Sequence, residues 1–365
     1  MRSTKMMISE SALYENALAI RRAIPEKVRL MCVVKANAYG HGSVQAAKAM
    51  LRAGADAFAV AIVEEAQELR RAGIRQPILI LGGGNAQTIC EAVSADASQS
   101  IYTPEMLRTM EAAAKVLGKR AKAHLKIDSG MSRIGVRGED ELQAMLECWK
   151  ECPHVDMAGI FTHFCAAEND EEFTRLQNTR FKKAIETVRA AGHNPIAHAA
   201  ATSAMLREEY QYDMVRAGIA LYGSLGSEIQ MQLRHAQKLS CTPVRIEEIE
   251  AGDTVGYGRT FTAEKKVRVM TLPIGYGDGY PRILSNRADV LVCGRRAPII
   301  GNVCMDMIMA DITDIPEANM DSEVVLLGAQ GDERITPDEL AGLAGTIPYE
   351  IMLGFSARVR CVHEE

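Results

Sequence analysis

The chain predicts an α/β architecture: a (β/α)8 TIM barrel followed by a C-terminal mainly-β domain. Two changes of pattern and the chain length carry this. Short apolar runs alternate with longer amphipathic stretches up to about residue 222; after about Gln237 the texture changes to short runs punctuated by turns; and the chain has 365 residues. A barrel of about 250 residues and a second domain of about 100 fit that length. The division is placed between residues 230 and 231, giving 1–230 to the barrel and 231–365 to the β domain.

The apolar runs at 30–34, 57–61, 78–81, 123–127, 157–162 and 218–222 have the length of buried strands. The stretches at 63–72, 104–117 and 173–191 have helical periodicity. Repetition of this strand and helix unit is what a parallel barrel requires. An open doubly wound sheet is the alternative, but no G-x-G-x-x-G turn follows the first strand, and Gly82-Gly83-Gly84 lacks that spacing and reads as a barrel loop. Beyond Gln237, runs at 242–247, 267–272, 289–292, 297–300, 307–311 and 322–327 read as strands. Turn residues Gly252-Asp253, Cys293-Gly294 and Gly328 lie near their ends, and 336–344 reads as the last helix.

Composition narrows the partners. Net charge is −5 and no sustained basic stripe is present, so no nucleic acid and no membrane surface is expected, and a small molecule is. No apolar run approaches the roughly 20 residues that span a bilayer. The start, Met1-Arg2-Ser3-Thr4-Lys5, is not followed by the apolar segment of a signal peptide, which points to a cytoplasmic protein. Nine scattered cysteines read as mostly reduced core residues. Only Cys148 and Cys152 lie close together, with no second pair or His-x3-His, so no metal site is expected.

Lys35 follows directly on the run at 30–34. An ammonium is costly to desolvate, so a lysine at the carboxyl end of a core strand either snorkels to solvent or is held for chemistry, such as a Schiff base to a carbonyl cofactor. Residues 36–42, with Tyr39, His41 and two glycines, have the composition of a loop closely approached by a ligand. The string Val33-Val34-Lys35-Ala36-Asn37-Ala38-Tyr39-Gly40-His41-Gly42 resembles the cofactor-lysine segment of the alanine racemases. These are pyridoxal phosphate (PLP) enzymes with a (β/α)8 barrel joined to a smaller β domain. Further similarities run from Lys35 to about Arg360.

The resemblance implies a homodimer, with each active site shared across subunits, that interconverts L- and D-alanine by a two-base mechanism and supplies D-alanine for cell-wall synthesis. Racemisation removes a proton from a weak carbon acid and returns it on the opposite face. The protein must therefore hold the phosphate, orient the cofactor ring and place an acid/base group on each side. By resemblance Lys35 holds PLP and is one base, which requires a neutral amine. Tyr257, in Val255-Gly256-Tyr257-Gly258-Arg259-Thr260-Phe261, is the other. Its phenol is activated by His163, with Arg216 continuing the chain. Arg216, in Met214-Val215-Arg216-Ala217-Gly218-Ile219, is expected at the pyridine nitrogen. A guanidinium cannot readily accept a proton, so that nitrogen stays unprotonated and side reactions such as transamination are limited.

The same resemblance assigns the phosphate to Tyr39, Tyr349, the backbone at Gly218 and Ile219, and one hydroxyl of Ala201-Thr202-Ser203-Ala204. Counting from His198 favours Thr202; matching the Ser-Ala pair favours Ser203, which is the expectation. Arg133, in Lys126-Ile127-Asp128-Ser129-Gly130-Met131-Ser132-Arg133, and the backbone of Met305, in Gly301-Asn302-Val303-Cys304-Met305-Asp306, would bind the substrate carboxylate. Met305, Tyr257 and Tyr276 belong to the partner's half of the site. Lys126 matches a lysine that carries a carbamate in several relatives. At its start the chain departs from the family, the first strand being reduced to 5–9.

Taken singly, these residues have plainer readings. A tyrosine between glycines packs a turn, a strand-end histidine satisfies core hydrogen bonds, and an arginine makes a surface ion pair. At the level of function the alternatives are three. One is a broader amino-acid (serine) racemase, because excluding one hydroxyl or methylene is worth only about 1–3 kcal/mol. A related-barrel PLP decarboxylase would keep Lys35 but need a cysteine motif and lack Tyr257 as base, and a non-catalytic PLP carrier would need no β domain.

Overall fold

The computed structural model describes residues 3–225 and 231–364. The chain divides into two compact units, one of Leu13–Ala38 and Gly42–Leu233, the other of Met1–Ala12, Tyr39–His41 and Arg234–Glu365. The expected division gave all of residues 1–230 to the barrel. Instead β1 (Lys5–Ser9) belongs with the β unit, because its buried alternate residues, Met6 and Ile8, complete a sheet there.

In the larger unit the strands are β2 (Arg29–Val33), β3 (Ala57–Val60), β4 (Ile78–Ile80), β5 (Ser98–Ile101), β6 (Ala121–Lys126), β7 (Val155–Phe161), β8 (Ile196–His198) and β9 (Met214–Ala217). All pair in parallel, in the order β8-β7-β6-β5-β4-β3-β2-β9, as a nearly closed eight-stranded barrel among the described residues. Strands covered on both faces need near-continuous apolar sequence, which is why most were visible as apolar runs. The seam between β8 and β9 has no regular ladder. It is bridged by the Asp213 N–H to Ala197 O at 3.0 Å, the Ala197 N–H to the Asp213 carboxylate at 2.8 Å, and the Arg216 N–H to Ala200 O at 3.0 Å.

The connecting helices start where their sequences say they should. Thr103 accepts from the Met106 N–H with Pro104 in the first turn, Asn85 from Thr88, and Asp170 from Phe173. Two departures from the sequence reading have clear causes. β5 is Ser-Gln-Ser-Ile and has no apolar run, yet it is buried, because Ser100 donates to Ile80 O at 2.7 Å and Gln99 to Gly82 O at 2.8 Å. The run at 218–222 is not a strand: β9 stops at Ala217, and Ile219–Tyr222 is a buried 3-10 turn. A short apolar run does not by itself distinguish the two.

In the β unit the strands are β10 (Gln237–Cys241), β11 (Arg245–Ile249), β12 (Thr254–Val255), β13 (Phe261–Thr262), β14 (Val267–Leu272), β15 (Asp289–Val292), β16 (Arg295–Pro298), β17 (Ile308–Asp311), β18 (Val324–Gln330), β19 (Glu333–Ile335) and β20 (Arg360–Glu364). The main sheet runs β16-β15-β18-β10-β1-β20, with β19 paired to β18. β1 is antiparallel to β10 and parallel to β20, so even the shortened first strand fills the gap between them. A second sheet, β11-β14-β17, and the β12-β13 ribbon pack Val255, Ala263, Val267, Val269 and Ile300 into a small core. No helix among the described residues is long and apolar enough to cross a membrane. The nine cysteines are all free, but Cys165, Cys293 and Cys361 are exposed rather than core residues.

Candidate active site

Lys35 starts a turn that the sequence reading treated as an ordinary loop. Over Lys35–Gly40 the backbone winds through one left-handed turn, with φ of 52° at Ala36, Asn37 and Ala38 and 54° at Tyr39. Four successive non-glycine residues in this region cost about 1–2 kcal/mol each. The cost is offset by specific bonds. Glu65 Oε1 accepts the Ala36 N–H at 2.6 Å, its Oε2 accepts from Ala61 at 2.7 Å, and Asn37 Oδ1 accepts the Ser43 N–H at 2.9 Å. Tyr222, fully buried, donates to Val33 O at 2.8 Å and braces the strand just before the lysine. Burial, and then the charge of Arg133, lower the Lys35 pKa, against an opposing pull from Glu65. The amine is therefore easier to deprotonate than an ordinary lysine.

Arg216 is buried inside the barrel among acceptors that carry no charge. It donates to Thr162 O and Ala199 O, both at 2.8 Å, to His198 Nδ1 at 2.9 Å and to His163 Nδ1 at 3.2 Å. A guanidinium can only donate. Both histidines must therefore keep Nδ1 bare and carry their proton on Nε2. His198 in turn contacts His124 Nδ1 through its Nε2, at 2.9 Å, so His124 accepts there and holds its own proton on Nε2. Burial and the Arg216 charge push the pKa of His124 and of His163 down to about 3, and hold His198 well below the usual histidine range. All three stay neutral near pH 7. Burial and Arg133 push Arg216 down to about 9, which leaves it cationic. Its Nε–H has no acceptor among the described residues.

Lys126 is buried, donates to Ile127 O at 2.7 Å, and lies 5.3 Å from the centre of the Phe161 ring. Burial, then repulsion by Arg216, push its pKa down to about 7 although Asp128 opposes this. Asp128 shapes the turn that carries Arg133 by accepting from Gly130 and Ser132 at 2.9 and 3.1 Å. The charge of Arg133 is felt at Lys35, Lys126, His163 and Arg216, so these residues form one electropositive cluster.

The expected phosphate groups fall into two sets. In the barrel unit, Thr202 Oγ1 accepts the Gly218 N–H at 3.1 Å, which occupies that amide and leaves the Thr202 O–H free to donate, while the half-buried Ser203 has no hydrogen bond to a described residue. The amides of Ile219 and Ala220 open the 3-10 turn and also have no partner among the described residues. In the β unit, the rings of Tyr39 and Tyr349 lie 5.7 Å apart at 47°.

Tyr257 sits between Gly256 and Gly258, whose φ of 71° and 75° only glycine adopts readily, and its carbonyl accepts from Asn302 at 2.6 Å. Its side chain is 76% exposed. Tyr257, Tyr276 and Met305 line one open groove of about 1080 Å³ on the β unit. Met305 O accepts the Gly277 N–H at 2.8 Å, tying the Met305 and Tyr276 segments together, and leaves the Met305 amide without a partner among the described residues.

The sequence reading missed three residues. Glu65 could have been noticed as the acid in the first turn of helix Val63–Arg71. His198 served only to count register, and His124 carried no signal at all, since its partner lies 74 positions away.

Residues 8–226 match the family model of the alanine racemase N-terminal domain, and residues 236–363 that of its C-terminal domain. The chain belongs to the alanine racemase family. It is 42% identical over 368 residues to an alanine racemase of Symbiobacterium thermophilum, covering 98% of this chain and 96% of that one. To alanine racemase 2 of Oceanobacillus iheyensis it is 39% identical over 364 residues, covering 98% and 92%. Among solved structures, the alanine racemase of Streptomyces lavendulae matches with a TM-score of 0.94 at 32% identity, over 100% of this chain and 98% of that one. The Bacillus anthracis enzyme with bound L-Ala-P matches at 0.92 and 35% identity, over 100% and 96%. The racemase interconverts the two isomers of alanine, and the serine-racemase, decarboxylase and carrier alternatives are not favoured.

Gly159 tests the histidine chain. A Cβ placed there would lie 2.2 Å from His124 Nδ1. Gly159→Ala is expected to displace the imidazole and lower the unfolding free energy by about 1–3 kcal/mol, read from denaturant melts; unchanged stability would contradict the packing described.

Proposed function

We propose that this racemase is a cytoplasmic, PLP-dependent homodimer in which Lys35 and Tyr257 are the two bases and each site draws on both subunits, supplying D-alanine for cell-wall synthesis. The cluster of Lys35, Lys126, Arg133, His163 and Arg216 carries the conclusion, because so much positive charge at one end of the barrel suits a phosphate and a substrate carboxylate. The residues present fit PLP: an amine with a lowered pKa, open amides at Ile219 and Ala220, an unpartnered Ser203 hydroxyl, and the phenols of Tyr39 and Tyr349. When bound, PLP supplies the electron sink that makes the α-proton of alanine removable.

The chain's own groups do the rest. Lys35 anchors the cofactor, and its Nζ takes or returns the α-proton on one face. Tyr257 Oη does so on the other face, with His163, neutral and protonated on Nε2, as its hydrogen-bond partner. Arg216, whose Nε–H has no acceptor among the described residues, would donate to the pyridine nitrogen and leave it unprotonated. Arg133 and the Met305 amide hold the substrate carboxylate. The exposure of Tyr257 and Met305, at 76% and 53%, supports a dimer, since a base left in solvent has no defined position until a second chain covers it.

Lys126 fits a carbamate. A pKa of about 7 leaves much of the amine neutral, and Lys-NH2 adding CO2 with loss of a proton gives an anion beside Arg133 and Arg216. That anion would fix the orientation of Arg133.

Lys35→Ala is expected to abolish turnover in both directions, and Tyr257→Phe to impair mainly abstraction from the L isomer, followed by optical rotation in deuterated water. A mixed dimer of the two variants should regain one working site; activity retained in both single variants would remove the two-base scheme. Carbon-13 bicarbonate should give a carbamate carbonyl signal in NMR that Lys126→Ala lacks, and no such signal in the wild type would exclude the modification.

A further inference from the structure

The barrel has a second cavity, at the amino-terminal ends of its strands and away from the cluster around Lys35. It measures about 450 Å³, and its lining includes Arg29, Asp56, Ser98, Lys122, His124 and Ala158. Barrel interiors are usually filled by layers of bulky branched side chains. At this level β3, β5 and β7 contribute Ala57, Ser98 and Ala158, and the space stays open.

Alternate residues of a strand share a face. On β6 that face carries Lys122 and His124, which line the cavity, and then Lys126 of the catalytic cluster. His124 is only 6% exposed. Because Arg216 occupies His198 Nδ1 and His198 donates to His124 Nδ1, the His124 proton is fixed on Nε2. No described residue accepts from that nitrogen. Arg29 and Lys122, both exposed, make no ion pair among the described residues. The one carboxylate in the wall, Asp56, is already engaged by the Leu30 N–H at 2.7 Å and by Arg21 at 3.5 Å. A partnerless donor on a buried histidine that lines the cavity, with two exposed cations outside any ion pair in the same wall, suits an anionic acceptor, since a charged acceptor makes the stronger hydrogen bond and is attracted by both cations.

We propose that the amino-terminal mouth of the barrel is a second ligand site, for a small carboxylate that accepts from His124 Nε2 and pairs with Lys122 and Arg29. Malonate is a suitable probe, with a carboxylate for each cation. The holoenzyme is titrated with malonate by calorimetry in saturating alanine, so that the catalytic site is occupied. One malonate per chain is expected, with affinity reduced at least tenfold in Lys122→Met and in Arg29→Met. Both positions lie outside the catalytic cluster, and unchanged alanine turnover shows that each variant is folded. Absence of saturable binding, equal affinity in wild type and both variants, or binding that disappears as alanine is raised would each overturn the proposal.

Discussion

The electrostatics of the barrel interior depend on one buried guanidinium that has no carboxylate partner. Arg216 is satisfied by two backbone carbonyls and two imidazole nitrogens. Burying a charge without a counter-ion is costly, and it survives only when hydrogen bonds replace the lost water. The choice of neutral acceptors has a consequence that a carboxylate would not have. Burial is the larger cause of the low basicity of His124, His163, His198 and Lys126, and the uncancelled charge of Arg216 lowers all four further. Histidines held neutral in this way neither take up nor release protons near pH 7.

A second constraint acts at Lys35. The left-handed turn after it is intrinsically unfavourable for Ala36, Asn37, Ala38 and Tyr39, and Glu65, Asn37 and Tyr222 hold that turn and the strand end before it. Strain of this kind persists where the surroundings over-determine it, which is common at functional sites. Here it falls where the chain passes from one unit to the other: Lys35 belongs to the barrel unit, and Tyr39, four residues on, belongs to the β unit, where its ring lies 5.7 Å from that of Tyr349.

Much of this was legible in the sequence, for local reasons. Buried parallel strands are apolar along their length, so β2, β3 and β4 showed as runs, as did the largely buried antiparallel β14, and the strings around Lys35, Arg216, Tyr257 and Met305 are contiguous and specific. What was hidden is either polar or non-local. β5 is buried through side-chain hydrogen bonds that hydropathy does not register. The turn at Ala36–Tyr39 contains no glycine to announce a positive φ. β1 finds partners more than 200 residues downstream, and His124 finds His198 across the barrel.

The direct test of Arg216 as the organiser of a neutral site is nitrogen-15 NMR of histidine-labelled holoenzyme across about pH 5 to 8, the range in which an ordinary imidazole titrates. His124, His163 and His198 should each remain neutral throughout, with Nδ1 bare and Nε2 protonated. Titration of any of the three within that range, or a proton on Nδ1 of His163 or His198, would contradict the account.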